Sequence, residues 1–202
     1  LGDVYKRQPM TPENFQHYAD MLDDPNITAQ KVAFCWFSYM ADEGYPQAQY
    51  VCALYCRHSD PQRYVQLMRD SAESGYDPAE FALGMFYLNN GTDNPESSRE
   101  EGFQWVERAV AHHNHDAEFA LGLYLIDQEE PEKKQRGVLL LQAAALSDHP
   151  EAMYQLGCYL YFEESKQAEG FSWIRKSADL GWPDAMDLSL IHISEPTRLQ
   201  LI

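Results

Sequence analysis

The sequence has little positive charge. Its 202 residues include 15 Lys and Arg against 32 Asp and Glu, which gives a formal net charge of −17 at pH 7. Such a charge repels nucleic acid and anionic membrane surfaces, and it favours basic partners. No apolar run approaches the roughly 20 residues of a transmembrane helix, so the sequence predicts no membrane insertion. With 45% apolar residues, the chain can nevertheless bury a core, and its acidity does not imply disorder.

Cysteines are few, and they follow no ligand or disulfide pattern. The four are Cys35, Cys52, Cys56 and Cys158, with no C-x-x-C among them. Cys52 and Cys56 lie four residues apart on one predicted helix, which is a poor geometry for a disulfide. We interpret the four cysteines as buried, reduced thiols, and this interpretation favours a reducing compartment such as the cytoplasm. The localisation itself stays unknown, because we expect the native N-terminus to be missing.

Familiar catalytic motifs are also absent. The sequence contains no G-x-x-x-x-G-K, H-E-x-x-H, G-x-S-x-G or S-x-x-K, the signatures of phosphate-binding loops, zinc proteases and serine hydrolases. We therefore predict no cofactor and no catalysis by this chain. The alternative is a larger enzyme whose catalytic domain lies outside it.

The coding sequences of the two ends of the chain can be reverse complements of each other. One permitted set of codons for residues 1–8 has a reverse complement that encodes LSLIHISE, the sequence of residues 188–195. Inverted linkers at the ends of a DNA fragment have this property, and the sequence resembles the transposon-end adapter of sequencing libraries. We therefore expect residues 1–8 and 188–202 to be adapter-derived, and residues 9–187 to be a repeat array truncated at both ends.

An internal repeat organises the remaining sequence. The phrase FALGMFYL (residues 81–88) recurs as FALGLYLI (119–126) and YQLGCYLY (154–161), with a weaker copy, YVCALYCR (50–57). An alanine stands two residues before each copy, and a second phrase such as GFQWVERAV or GFSWIRKSA follows it. The second phrases share a large residue, and successive ones are 31, 38, 35 and 33 residues apart: Trp36, Leu67, Trp105, Leu140 and Trp173. Such a period predicts stacked helical hairpins with variable loops.

Small residues and turn residues support the hairpins. Glycine in a helix interior costs about 1 kcal/mol, so its recurrence in the first helices predicts a close contact with the second helix, at Gly84, Gly122 and Gly157. Small residues of the second phrases are expected on the other side of that contact: Ala144, Ala145, Ser177 and Ala178. Glycines after the second helices are expected to cap them: Gly44, Gly75 and Gly181. Ser98 and Glu101 have the spacing of a capping box before the helix of Trp105.

These residues and motifs resemble the Sel1-like (Sel-one-like) repeat family, loop-variable relatives of the tetratricopeptide repeat. The family pattern is roughly A-x-x-x-L-G-x-x-Y, a loop, then A-x-x-W-x-x-x-A-A-x-x-G-x-x-x-A, and the match covers about residues 31–187. The resemblance implies an all-α, right-handed α/α superhelix (solenoid) of about four to five hairpins. It also implies a protein–protein interaction scaffold or adaptor, in which the first helices line a concave groove.

The candidate groove residues follow from that resemblance. Counted from the alanine of each repeat, positions +2, +6 and +9 share one helix face, and the candidate partner-binding residues are Tyr50, Leu54, Phe81, Met85, Phe119, Leu123, Tyr154 and Tyr161. The expected partner is a protein or peptide bound as a segment in the groove, and the acidic excess favours a basic one. The alternative is that these side chains only pack between neighbouring first helices.

The segment HHNHD, residues 112–116, suggests a metal site. Histidine is a common metal ligand, so His112, His113 and His115 are the candidate ligands. The alternative is a polar turn between helices, because His113 falls on the register of the capping glycines.

Overall fold

The computed structural model describes residues 8–89, 95–163 and 165–194. Within them the chain forms eleven α-helices and no strand, which confirms the predicted all-α class. The helices are α1 (Pro12–Asp23), α2 (Ile27–Asp42), α3 (Pro46–Cys56), α4 (Pro61–Glu73), α5 (Asp77–Asn89), α6 (Pro95–Ala111), α7 (His115–Ile126), α8 (Pro131–Leu146), α9 (Pro150–Tyr161), α10 (Gln167–Asp179) and α11 (Pro183–Ser194). No helix of this described part is long and apolar enough to cross a membrane.

The chain divides into two compact units. The first, Leu1–His112, contains α1–α6, and the second, His113–Ile202, contains α7–α11. In both units, helices that follow each other in sequence pack on each other. The four predicted full hairpins are α3–α4, α5–α6, α7–α8 and α9–α10, while α1–α2 forms a further pair before them. Here α1 lies before residue 31, where the repeat match in the sequence begins.

Glycine pairs set the crossing of three hairpins. In α5–α6, a Cβ atom on Gly84 would lie 2.7 Å from Cγ2 of Val106 and 2.9 Å from the carbonyl oxygen of Gly102. Such distances are far inside van der Waals contact, so only glycine lets the two backbones approach this closely. Equivalent pairs occur in the next two hairpins, at Gly122/Gly137 and Gly157/Gly170. The predicted close contact is confirmed.

The residues opposite the mid-helix glycines differ from those predicted. They are the glycines that open the second phrases and the apolar residues four positions later, whereas the sequence pattern predicts Ala144, Ala145, Ser177 and Ala178 there. Ser177 instead donates a hydrogen bond of 2.7 Å to the carbonyl of Pro150, the first residue of α9. Ser71 makes the same 2.7 Å contact with the carbonyl of Pro46 at the start of α3. Small side chains in second helices thus face the N-terminal end of the first helix.

The fully buried position of each second helix comes one residue after the predicted anchor. Trp36 and Trp105 are buried, but Leu67, Leu140 and Trp173 are only half-buried. The following residues are 4% exposed or less in all five second helices: Phe37, Met68, Val106, Leu141 and Ile174. The tryptophans therefore mark the register, and the next residue forms the core.

The turns after the second helices require left-handed backbone. Gly44, Gly75 and Gly181 have φ of 89°, 80° and 86°, as their predicted capping role demands. His113 and Asp148 occupy the same turn position with φ of 60°. The predicted capping box at Ser98 is wrong, because α6 already begins at Pro95 and Ser98 lies buried inside it.

The predicted adapter segments fall mostly outside the described residues. Of residues 1–8 only Gln8 is described, and its carbonyl accepts a hydrogen bond of 3.2 Å from the Trp36 indole. Of residues 188–202, the backbone is described as far as Ser194, where α11 ends. The boundary after Asp187 stays a prediction.

Candidate interaction surfaces

Two of the aromatic residues at position +2 pack against the start of the next repeat. The ring of Tyr50 in α3 meets Tyr76, just before α5, edge-on with centroids 5.5 Å apart. The ring of Phe119 in α7 stacks on His149, the N-cap residue of α9, at 4.8 Å. Both rings are half-buried and lie against the core of their own unit. At these two positions the aromatic side chain joins consecutive repeats.

The other candidate groove residues keep apolar surface in contact with solvent. Phe81, Met85, Leu123, Tyr154 and Tyr161 are half-buried. Leu54 is 43% exposed, and its neighbour Tyr55 is 51% exposed. Each first helix therefore presents a partly open apolar face, and that face is most open on α3.

Tyr161 stands at a register that faces the second helix. The +9 residues Leu88 and Ile126 approach the glycine that opens the second phrase of their own hairpin, and a Cβ on Gly170 would lie 2.5 Å from the backbone nitrogen of Tyr161. Position +9 thus contributes to the hairpin crossing, while the exposed apolar surface comes from position +6 and from the +2 residues Phe81 and Tyr154.

A polar cleft of about 440 Å³ lies on the second helices of the first unit. It is lined by Arg69 of α4 and by residues of α6, among them Glu101, Trp105 and Arg108. The Arg69 guanidinium donates hydrogen bonds to Glu101 at 2.8 Å and to the Tyr87 hydroxyl at 2.5 Å. Partial burial opposes the charge of Arg69, but these two partners prevail and raise its pKa. The arginines that line this cleft are therefore already paired with carboxylates of the protein itself.

The carboxylate of Glu80 is completely buried beneath that region. Arg108 Nη2 lies 3.1 Å from one carboxylate oxygen, and His112 Nδ1 lies 2.7 Å from the other. The same Arg108 nitrogen donates to the carbonyl of Ala72, near the end of α4, at 3.4 Å, and its guanidinium stacks 4.5 Å from the Trp105 ring centroid. A buried charge needs such compensation. Arg108 supplies the opposite charge beside Oε1, which makes no hydrogen bond, while His112 is hydrogen-bonded to Oε2.

A second glutamate, Glu118 in α7, occupies the equivalent position in the next hairpin. It is 5% exposed, and its ion-pair partners are histidines: His115 Nδ1 at 3.1 Å and His113 Nδ1 at 3.9 Å. The longer distance exceeds a hydrogen bond. Two equivalent buried carboxylates thus have different partners.

The candidate metal ligands are divided between these two carboxylates. His112 belongs to the first unit and contacts Glu80, whereas His113 and His115 belong to the second unit and contact Glu118. Among the described residues, no group of three or more His, Cys, Asp and Glu side chains has an arrangement that could hold a metal ion. Residues 112–114 lie between α6 and α7, while His115 and Asp116 are the first two residues of α7.

Sequence reasoning missed the buried glutamates, although a signal was present. The phrase A-E-F-A-L-G occurs twice, with Glu80 and Glu118 directly after the register alanine. A charged residue next to the most buried position of a repeat indicates a buried ion pair. Position +1 is buried in the neighbouring repeats too, as Gln49 and Met153.

Comparison with solved structures identifies the fold. By sequence, neither a protein-family profile nor a curated protein matches the chain. By structure, it is similar to a protective antigen of uropathogenic Escherichia coli strains with an SLR fold, with a TM-score of 0.71 and 20% identity over 86% of this chain. The chain spans only 38% of the length of that antigen.

Two further structures have the same architecture. A Sel1 repeat protein from Oxalobacter formigenes matches with a TM-score of 0.70 and 23% identity, over 92% of this chain and 76% of its own. An immunity protein from Pseudomonas aeruginosa matches with a TM-score of 0.59 and 17% identity, over 88% of this chain and 70% of its own. The motif in the sequence and the matches in structure agree: the chain has the Sel1-like repeat fold, a tetratricopeptide-like all-α solenoid.

Proposed function

We propose that the chain is a protein-binding scaffold or adaptor that takes a peptide or protein segment on the face of its first helices, without catalysis of its own. The observation that carries the proposal is the partly exposed apolar row at positions +2 and +6. In the first unit this row includes Leu54, Phe81 and Met85, and in the second it includes Leu123 and Tyr154. Large apolar side chains that stay open to solvent at the same register of successive repeats favour binding of an apolar partner face.

The names of similar proteins support a role in recognition. One is a protective antigen and another is an immunity protein, and neither name is that of an enzyme. The charge of −17 adds a preference for a basic partner and against nucleic acid, because it steers like charges away.

Selection from a random peptide library against the immobilised protein tests this function. We expect enriched sequences that combine apolar residues with Lys or Arg. The double variant Phe81→Ala/Met85→Ala should weaken an enriched peptide at least about tenfold, because a few central apolar residues dominate binding energy. The measurement is the Kd by fluorescence anisotropy, with folding checked by circular dichroism.

The matched control is Ile27→Ala/Leu180→Ala, which truncates two exposed apolar side chains at the ends of second helices, at the start of α2 and just after α10. Its Kd should stay within about twofold of wild type. Equal losses in both double variants, or no loss in a folded Phe81→Ala/Met85→Ala protein, would contradict the proposal, and so would a selection that enriches no peptide.

A further inference from the structure

The α5–α6 and α7–α8 hairpins can be compared residue by residue, because the same glycine contact sets their register. Gly84 meets Gly102 in the first hairpin, and Gly122 meets Gly137 in the second. The residue four positions after the second glycine packs on the first glycine in both cases, as Val106 and as Leu141. Positions counted from Gly102 in α6 and from Gly137 in α8 are therefore structurally equivalent.

In α6, the third and sixth positions hold a tryptophan and a cation. Arg108, at the sixth position, stacks on Trp105, at the third, and neutralises Glu80. The α10 helix has the same pair, since Lys176 Nζ lies 4.2 Å from the ring centroid of Trp173. In α8 these two positions are Leu140 and Ala143, so both the ring and the cation are missing.

The buried acid remains although its arginine is missing. Glu118 has a side chain only 6% exposed, and its ion-pair partners are two histidines whose side chains are 48% and 86% exposed. Nδ1 of His115 is in hydrogen-bond contact with one carboxylate oxygen at 3.1 Å, but a buried carboxylate is better compensated by a side chain that is always charged, such as arginine. The place that Arg108 takes at Glu80 corresponds, at Glu118, to the methyl group of Ala143.

The surface around Ala143 is unusually apolar. Leu139 and Leu146 are 59% and 68% exposed, and they precede and follow Ala143 by four and three residues, which places all three on one face of α8. Exposed leucines on either side of a small residue can pack against a partner. These three residues mark a surface that we call the α8 face, and by the equivalence with α5–α6 it lies over the buried Glu118.

We propose that the α8 face binds an arginine side chain of a basic partner protein, whose guanidinium pairs with Glu118 as Arg108 pairs with Glu80. Arginine fits better than lysine, because its planar fork can hold a carboxylate in two hydrogen bonds and is less strongly hydrated. The leucines contact apolar residues that flank the arginine. The net charge of −17 attracts such a partner. This surface is separate from the first-helix face and does not depend on it.

A labelled peptide with the core Leu-Ala-Ala-Arg-Ala-Ala-Leu tests the proposal, with citrulline in place of arginine as the uncharged comparison. We expect wild type to bind the arginine peptide at least about tenfold more tightly than the citrulline peptide. Ala143→Arg supplies the missing cation within the chain, so it should weaken the arginine peptide at least about tenfold and raise the melting temperature by about 3 °C.

The matched control is Gln142→Arg, which adds the same charge at the adjacent exposed position. It should leave the affinity within about twofold and the melting temperature within about 1 °C. Equal binding of the two peptides, no binding of either, or equal effects of Ala143→Arg and Gln142→Arg would overturn the proposal. Phe81→Ala/Met85→Ala should bind the arginine peptide like wild type. Failure of the proposal for the first-helix face can therefore be distinguished from failure of the proposal for the α8 face.

Discussion

The α5–α6 and α7–α8 hairpins share a crossing and a buried glutamate, yet that glutamate contacts different side chains in the two. Glu80 has an arginine from its own second helix together with His112, whereas Glu118 has His113 from the preceding turn and His115, the first residue of its own helix. The glycine contact, which sets the backbone, is the same in both. The backbone crossing is thus the same in both hairpins, whereas the side chains that contact the buried glutamate differ between them. Binding function can therefore change through the partners of the glutamate without a change in the backbone crossing.

The largest effect is expected where the buried charge loses its only arginine. Arg108→Met keeps the apolar stem above Trp105 but leaves Glu80 buried with His112 as its remaining ion-pair partner. We expect a loss of about 3 kcal/mol in the free energy of unfolding, because an uncompensated buried charge is strongly destabilising. Urea denaturation followed by circular dichroism measures it.

Two comparisons make this prediction specific. Arg99→Met removes an exposed arginine of the same helix that lies near Phe103, and it should change stability by no more than about 0.5 kcal/mol. In a Glu80→Gln background, Arg108→Met should cost less than about 1 kcal/mol, because the charge to be compensated is gone. An unchanged cost in that background would show that Arg108 stabilises the hairpin by packing alone.

A smaller effect is expected at the glycine contact, and it should differ between the two hairpins. A Cβ on Gly84 would meet Val106 Cγ2 at 2.7 Å and the Gly102 oxygen at 2.9 Å, whereas a Cβ on Gly122 would meet Cγ of Leu141 at 3.0 Å and its backbone nitrogen at 3.1 Å. Alanine gains up to about 1 kcal/mol in a helix, but overpacking costs more. We expect Gly84→Ala to lose about 2 kcal/mol and Gly122→Ala at most about 1 kcal/mol. Thermal unfolding of both variants measures this, and equal losses would contradict the difference in fit.

Repetition explains how much of this structure the sequence could predict. Gly84, Gly122 and Gly157 recur at one register despite their cost, so the close helix contact can be inferred from the sequence alone. The fully buried residue after each anchor cannot be predicted, because the residues at that position share only apolar character: Phe37, Met68, Val106, Leu141 and Ile174. The predicted start of α6 is wrong because Ser98 has a cap-like spacing, although Pro95 already allows the helix to begin.

The interaction surfaces were less predictable for a physical reason. Tyr50 and Phe119 match the groove pattern, but whether an aromatic ring faces solvent or the next repeat depends on that repeat's first residue, here Tyr76 or His149. Likewise, the absence of an arginine beside Glu118 becomes visible only when Ala143 is aligned with Arg108 through the glycine contact. Both features depend on comparing two repeats, so neither can be predicted from the sequence of one repeat alone.

The smallest effect is expected from metal, and it bears on why Glu118 has histidines at all. If His112, His113 and His115 were ligands, zinc would substitute for the missing arginine, and the two hairpins would differ by a metal ion. Because His112 is held by Glu80 while the other two contact Glu118, we expect zinc to change the melting temperature of wild type by less than about 1 °C. The triple variant in which all three histidines become alanine should respond to zinc in the same way. A zinc-dependent rise in wild type alone would assign Glu118 to a metal site and remove the need for a partner's arginine there.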